Sequence, residues 1–184
     1  LYDLGIQDAH CDESGYVYGH IPPSAGCTRP GLALIAHMDT AMEMSGANIR
    51  PRIVKNYDGG PITLNQELNI VTRPEEFPSL KAHIGQDLIV TDGTTLLGAD
   101  DKAGVAEIMT LAQFLMENPD FPHPPVCILF TPDEEIGRGT DYVNLEKLNA
   151  AYGYTVDGGI LGELSYENFN AAAAKVTFHG ITAH

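Results

Sequence analysis

Four short apolar runs in this chain each lead to a cluster of histidine or acidic residues, and this pattern constrains the fold more than any other feature. In chain order the pairs are residues 32–36 before His37, Met38 and Asp39, residues 88–90 ahead of Asp100 and Asp101, residues 126–130 ahead of Asp133, Glu134 and Glu135, and residues 152–156 before Asp157. Short apolar runs bounded by turn residues predict buried strands. Ligands of open α/β sheets gather beyond the carboxyl ends of the strands. We therefore expect an α/β fold in which one sheet collects these clusters into a single site.

The residue types in these clusters are those that bind divalent metal ions. Imidazole and carboxylate ligands suit Zn²⁺ or a similar ion, and a carboxylate that shares its two oxygens can bridge two ions. Glu134 and Glu135 are the hardest to explain otherwise, because neighbouring like charges beside an apolar strand repel each other unless a cation compensates them. In an extended segment their side chains point to opposite sides, so one can bind metal while the other transfers protons.

Each cluster taken alone has a simpler explanation. Carboxylates that follow a strand are often helix caps or solvated turn residues, and Asp100 could simply cap the helix that follows it. Four such clusters, all near predicted strand ends, make a shared metal site the better explanation.

The charge of the chain argues against two classes of partner. Its 184 residues include 10 Lys plus Arg and 25 Asp plus Glu, which gives a net charge of -15. Such a charge repels nucleic acid phosphates and anionic membrane surfaces. At this length, with 43% hydrophobic residues, we expect one domain, or one domain and the start of another.

The cysteines indicate a reducing compartment, and we expect a cytoplasmic location. Cys11, Cys27 and Cys127 form no C-x-x-C pair, and Cys127 lies within an apolar run. A Cys11–Cys27 disulfide, or a zinc site that also uses His10 and His20, is an alternative that lacks recognisable ligand spacing.

Periodicity predicts the remaining elements. Apolar residues recur at helical spacing over residues 101–118, which predicts a helix ended by Asn118-Pro119. Residues 45–78 are rich in turn formers and predict an irregular excursion with short strands near Ile53 and Ile70. We also expect a short helix within residues 141–148 and two strands within residues 162–180.

Four motifs together carry a family resemblance. They are Ala-His-Met-Asp-Thr at residues 36–40, Leu-Gly-Ala-Asp-Asp-Lys-Ala-Gly at residues 97–104, Thr-Pro-Asp-Glu-Glu-Ile-Gly at residues 131–137 and Tyr-Thr-Val-Asp-Gly-Gly at residues 154–159. With them the chain closely resembles the peptidase T family of tripeptide aminopeptidases, within the dimetal zinc exopeptidases that include carboxypeptidase G and aminoacylase. The resemblance runs through nearly all 184 residues and includes residues 56–60 and 167–170.

The resemblance implies a fold and a set of roles. The fold is a mixed central sheet flanked by helices, as in the catalytic domain of zinc exopeptidases. The implied ligands of two zinc ions are His37 and Asp157 on the first ion, Asp100 as a bridge and Glu135 on the second ion. Asp39 would orient His37, and Glu134 would be the general base that activates the attacking water. The Asp100–Asp101 peptide bond is expected to be cis.

The resemblance also implies a domain division. Residues 1–170 would be a partial catalytic domain, and residues 171–184 would begin a lid or dimerisation domain through which the complete enzyme can form a homodimer. His184 would contact the substrate, while a further histidine ligand of the second zinc lies beyond this chain. We therefore expect the 184 residues alone to bind the second metal weakly and to hydrolyse peptides poorly.

The implied activity is release of the N-terminal residue from tripeptides, with a short peptide as the partner. A carboxypeptidase or an N-acyl amino acid amidohydrolase would use the same metal centre with the opposite substrate polarity. A non-catalytic metal-binding domain is the remaining alternative. Glu134 argues against it, because a closed structural site needs no spare base.

Overall fold

The computed structural model describes residues 1–167, 170, 172 and 174–181. This part of the chain forms nine strands, which are β1 (His10–Cys11), β2 (Val17–Ile21), β3 (Leu32–His37), β4 (Arg52–Val54), β5 (Ile62–Asn65), β6 (Ile70–Thr72), β7 (Leu88–Val90), β8 (Val126–Thr131) and β9 (Tyr152–Thr155). It also forms two α-helices, which are α1 (Ala99–Glu117) and α2 (Leu145–Leu148). Three 3₁₀ helices span Tyr2–Leu4, Pro78–His83 and Glu134–Ile136.

A mixed five-stranded sheet organises the fold. Its strand order is β1-β2-β8-β3-β9. Strands β8 and β9 lie parallel to β3 on its two sides, β2 is antiparallel to β8, and the edge strand β1 is antiparallel to β2. The chain therefore moves from β3 first to one neighbour and then to the other. The carboxyl ends beside such a reversal form the crevice in which α/β proteins bind ligands. The predicted mixed α/β fold is confirmed.

The two faces of the sheet carry different helices. Leu34 and Ile128 pack with α1 residues such as Ile108 in one apolar cluster. Ala33 and Leu129 pack on the opposite face with Leu148 of α2. Because side chains alternate along a strand, covering both faces requires a continuous apolar run. This explains why β3 and β8 read as unbroken hydrophobic segments.

Helix α1 covers one face of the sheet and brings its amino end to the site. Its buried residues follow helical spacing, as the sequence predicted: Asp101, Gly104, Ile108, Ala112 and Leu115. The Asp100–Asp101 peptide bond is cis, as the resemblance implied. Asp100 and Asp101 have non-helical backbone angles, so regular helix begins only after them.

The excursion between β3 and α1 forms two small sheets of its own. The predicted strands near Ile53 and Ile70 are present as β4 and β6. The run at residues 88–90 is also a strand, but β7 pairs antiparallel with β4 and is not part of the central sheet. The expectation that this run, like the other three, belongs to one sheet was therefore wrong. It fails because β7 finds its hydrogen-bonding partner within the excursion.

The two strands predicted within residues 162–180 are not present in the described part of that range. Val176 and Phe178 alternate with polar neighbours, yet both are exposed. An alternating pattern gives a strand only where another strand supplies its hydrogen bonds.

The predicted short helix within residues 141–148 is confirmed as α2, and Asn144 caps it by accepting a hydrogen bond from the Lys147 N–H. Among the described helices, none has both the length and the apolar composition required to cross a bilayer.

Candidate metal centre

The candidate site lies where β3, β8 and β9 end and α1 begins. His37 is the last residue of β3, and the turn that contains Glu134 and Glu135 follows β8. Asp157 comes two residues after β9, whose pairing with β3 is continued by a hydrogen bond of 2.7 Å from the Val156 N–H to the Ile35 carbonyl. Asp100 reaches the same place from the amino end of α1. The fold therefore brings together residues from distant parts of the sequence.

His37 is the centre of this arrangement and is 2% exposed. Its Nδ1 lies 3.1 Å from the backbone carbonyl oxygen of Asp39. A carbonyl oxygen can only accept, so Nδ1 carries the proton in this contact. Nε2 faces carboxylates, with Asp100 Oδ1 at 2.9 Å, Asp157 Oδ2 at 3.8 Å and Glu134 Oε2 at 3.9 Å.

The carboxylates favour protonation of His37. Burial lowers the pKa of the imidazole, but the hydrogen bond to Asp100 and the charge of Asp157 outweigh that effect and raise the pKa above its ordinary value of 6.5. Within the described residues, His37 is the only basic side chain that forms an ion pair with Asp100, Glu134 or Asp157. The cluster therefore carries a large excess of negative charge around one imidazole.

The spacing of these groups fits a divalent ion. Two sets of three ligand atoms lie within 4.8 Å of one another, one from His37, Asp100 and Glu135, the other from His37, Asp101 and Asp157. Ligands about 2.0–2.2 Å from a tetrahedral Zn²⁺ lie about 3.3–3.6 Å apart. This separation falls within the 4.8 Å limit that the atoms of both sets meet. The donor set of imidazole and carboxylate is also the set that Zn²⁺ accepts.

Asp39 holds the segment that carries the two glutamates. Its Oδ1 accepts a hydrogen bond of 3.2 Å from the Glu134 N–H, and its Oδ2 accepts one of 3.0 Å from the Glu135 N–H. Asp39 Oδ1 also lies 3.4 Å from His37 Nδ1. The carboxylate therefore links the imidazole to the glutamate turn, and the predicted role of Asp39 in orienting His37 remains a prediction.

The prediction that Glu134 and Glu135 lie in an extended segment was wrong. Glu134–Ile136 is a 3₁₀ helix that begins after Asp133, whose φ is 62°. The tight turn still separates the two side chains, because Glu135 joins the set with His37 and Asp100 while Glu134 Oε2 lies 3.9 Å from His37 Nε2. Different tasks for the two residues are thus compatible with a local structure that differs from the predicted one.

Asp101 is the residue whose importance the sequence did not reveal. It is 3% exposed, and its carboxylate accepts hydrogen bonds from the N–H groups of His37 and Gly104. Burial raises its pKa, although the hydrogen bond from His37 opposes the shift. A carboxylate that accepts from an N–H three residues ahead is a helix-capping pattern, so Asp101, and not Asp100, caps the start of α1. The sequence signal that could have indicated this capping role is an Asp three residues before a glycine at the start of a predicted helix.

Two other sequence predictions fall outside this centre. His184 lies outside the described residues. The alternative zinc site of His10, Cys11, His20 and Cys27 does not appear among the ligand groups of the described residues, where the His20 ring contacts Asp8 instead. All three cysteines are free.

Comparisons with known proteins agree with the fold and with the motifs. No family model matches the chain. A peptidase T from Halothermothrix orenii is 53% identical over 184 residues, which are 100% of this chain and 45% of that protein. The chain thus spans about half the length of the curated relatives it matches.

Solved structures give the same result. The crystal structure of the aminopeptidase PepT from Bacillus cereus has a TM-score of 0.60 and 27% identity, over 85% of this chain and 35% of that one. A tripeptidase from Staphylococcus aureus also has a TM-score of 0.60 and 27% identity, over 86% of this chain and 35% of its own. The resemblance inferred from the four motifs is therefore confirmed, since all 184 residues of this chain are similar to peptidase T sequences.

Proposed function

We propose that this chain is part of the catalytic domain of a metal-dependent aminopeptidase that releases the N-terminal residue of tripeptides. The observation that carries the proposal is His37 Nε2 facing carboxylates of Asp100, Glu134 and Asp157 in a chain similar from end to end to peptidase T. Because the chain spans about half of those relatives, the activity is proposed for the full-length protein.

The proposed metal is Zn²⁺, with two ions in the full-length protein. His37 and Asp157 would hold one ion, Glu135 would hold the other, and Asp100 would contact both. In support, His37, Asp100 and Glu135 lie in one group of possible ligands, and His37 and Asp157 lie in a second group with Asp101. Their imidazole and carboxylate donors are of the type that Zn²⁺ accepts. When bound, Zn²⁺ supplies Lewis-acid chemistry, which lowers the pKa of water and polarises a carbonyl.

Glu134 is the proposed general base. Its side chain is half exposed and close to His37, and its backbone is fixed through the Asp39 carboxylate. In the proposed reaction Glu134 takes a proton from the water whose oxygen bonds to the scissile carbonyl carbon. It then delivers that proton to the amine as the C–N bond breaks. Asp39 keeps both the imidazole and the glutamate turn in place.

An acidic cavity beside the site suits a free α-amino group. It has a volume of about 910 Å³ and no basic side chain in its lining among the described residues. Besides the proposed ligands Asp100 and Asp157, the lining includes Glu107 and Glu163, whose charges the proposed metal ions would not use. Negative charge in a cleft attracts and retains an ammonium group. This supports an aminopeptidase over enzymes that bind a carboxylate at the same place.

Blocking the substrate's amino group tests this polarity. We expect the full-length protein to hydrolyse an N-acetylated tripeptide roughly 10- to 100-fold less efficiently than the free-amine tripeptide, since hydrogen bonds to a charged group contribute about 1.5–3 kcal/mol. The measurement is kcat/KM for both peptides. Preference for the acetylated peptide would indicate an N-acyl amidohydrolase, and metal binding without hydrolysis of either would indicate a non-catalytic site.

The pKa of His37 makes metal binding depend on pH. His37 must lose its proton before Nε2 can bind metal, and its pKa is raised in the metal-free protein. We expect the apparent dissociation constant for Zn²⁺ to rise about tenfold per pH unit below that pKa and to level off above it. Calorimetry over about pH 5.5–8.5 in buffers of different ionisation enthalpy would measure both the affinity and the released proton. An affinity that is constant over this range would contradict the assignment of His37.

Three further features belong to the same proposal. Residues 1–170 would form the catalytic part and residues 171–184 the start of a lid or dimerisation domain, which leaves a homodimer as an expected assembly. A cytoplasmic location also stays a prediction. Sedimentation of the full-length protein would test the dimer.

A further inference from the structure

The carboxylate of Asp101 is fully committed to backbone contacts. Its Oδ2 accepts a hydrogen bond of 3.0 Å from the His37 N–H, and its Oδ1 accepts one of 3.2 Å from the Gly104 N–H. The residue is 3% exposed, whereas the side chain of the adjacent Asp100 is 72% exposed. The two neighbouring aspartates therefore point to different surroundings, one into the protein and one towards the site.

Through these contacts Asp101 connects two segments that each carry a proposed ligand, and a third such segment packs beside them. The His37 N–H belongs to the end of β3, and Gly104 belongs to the first turn of α1 next to Asp100. The third segment approaches through Val156, because a Cβ built on Gly104 would lie 1.9 Å from the Val156 carbonyl oxygen and 2.6 Å from Asp101 Oδ1. Val156 immediately precedes Asp157. One buried side chain thus sets the distance between β3 and α1, at the point where the segment leading to Asp157 packs against them.

A ligand role for Asp101 is the competing assignment. One oxygen of Asp101 does lie within 4.8 Å of ligand atoms of His37 and Asp157. Both of its oxygens, however, already accept from backbone N–H groups that are buried with it. Moving the carboxylate onto a metal would weaken those bonds, and an unsatisfied buried donor costs about 1–3 kcal/mol. The backbone contacts therefore favour a supporting role.

We propose that Asp101 is a positioning residue that holds His37 and Asp100 at the separation required for metal binding. The proposal rests on the metal site of the proposed function. In this role Asp101 does not bind the metal itself. It accepts hydrogen bonds from the backbone of the segments that carry the proposed ligands. Groups that hydrogen-bond to the side chains of metal ligands typically change metal affinity by about 10–100-fold when replaced, and we expect an effect of that size from Asp101 through the backbone.

The test uses Asp101→Asn in the full-length protein. Asparagine has nearly the same shape, but its NH₂ group cannot accept, so one of the two N–H groups loses its partner. We expect Zn²⁺ affinity to fall about 10–100-fold. We also expect the d–d absorption spectrum of Co²⁺ at the site to shift, since ligand geometry changes while the ligands remain. Amide hydrogen exchange should accelerate at His37 or Gly104.

A matched control is Asp120→Asn, which removes the same charge at an exposed position after α1 and should leave all three measurements unchanged. If wild-type protein binds neither Zn²⁺ nor Co²⁺, the proposed function fails first. If wild-type protein binds metal and Asp101→Asn has the same affinity and Co²⁺ spectrum, the positioning role is refuted.

If Asp101→Asn does not fold, a measurement on wild-type protein tests the positioning role instead. If Asp101 couples the ligands to the backbone, Zn²⁺ must in turn stabilise its contacts. Zn²⁺ should then slow amide exchange at His37 and Gly104 more than at Asn118, whose N–H bonds to Phe114 at the far end of α1. Equal slowing at all three amides would overturn the proposal.

Discussion

Replacing Glu134 with Gln should lower kcat of the full-length protein about 10²–10⁴-fold, which is the usual contribution of a general base. The amide has the size of the carboxylate but cannot take a proton from water. The fold around it should survive, because the Glu134 side chain is 51% exposed and the contact with Asp39 uses the Glu134 backbone N–H. Turnover of a tripeptide and metal content by elemental analysis are the two measurements, and we expect metal content to remain nearly intact.

The neighbouring residue supplies the matched control. Glu135→Gln makes the same chemical change one position along, in the residue grouped with His37 and Asp100. We expect it to lower metal content, with a loss of activity that excess Zn²⁺ partly restores. Excess Zn²⁺ should not restore Glu134→Gln. Normal turnover by Glu134→Gln would remove this residue from the mechanism, and loss of metal from it would make it a ligand.

The parts of the fold that sequence could predict are those set by local periodicity. The runs that became β3 and β8 are apolar at every position because both faces of these central strands are covered. Helix α1 repeats apolar residues at the helical period because only one of its faces packs on the sheet. The gathering of His37, Asp157 and the Glu134–Glu135 turn follows from β3, β9 and β8, since parallel strands end at one edge.

What could not be predicted depends on pairing and on close backbone contacts. The run that became β7 looks like a strand of the central sheet, but β4 supplies its partner, and no local signal encodes that choice. Val176 and Phe178 alternate as in a strand without a strand beside them in the described chain. The role of Asp101 depends on two N–H groups, one of them 64 residues away in sequence. Such contacts appear only after the chain has folded.

Gly104→Ala should both destabilise the protein and weaken metal binding. A methyl group at this position would lie 1.9 Å from the Val156 carbonyl oxygen, and backbone atoms cannot rotate away as a side chain can. Alanine favours helix over glycine by about 1 kcal/mol. Overpacking typically costs about 1–3 kcal/mol, and a contact this short with backbone belongs at the upper end or beyond. The cost of the clash should therefore exceed the gain in helix propensity. The clash should separate α1 from the segment that leads to Asp157.

Urea unfolding and Zn²⁺ titration would measure the two effects of Gly104→Ala. We expect a lower free energy of unfolding, and a loss of Zn²⁺ affinity because Asp157 moves with Val156. Gly158→Ala is the matched control, since a Cβ there meets nothing within 4 Å and no positive φ requires glycine. It should leave stability nearly unchanged. If Gly104→Ala instead gained about 1 kcal/mol, as at an ordinary exposed helix position, then α1 and the Val156 segment would not be in close contact. The positioning of Asp157 against α1 would then need another cause.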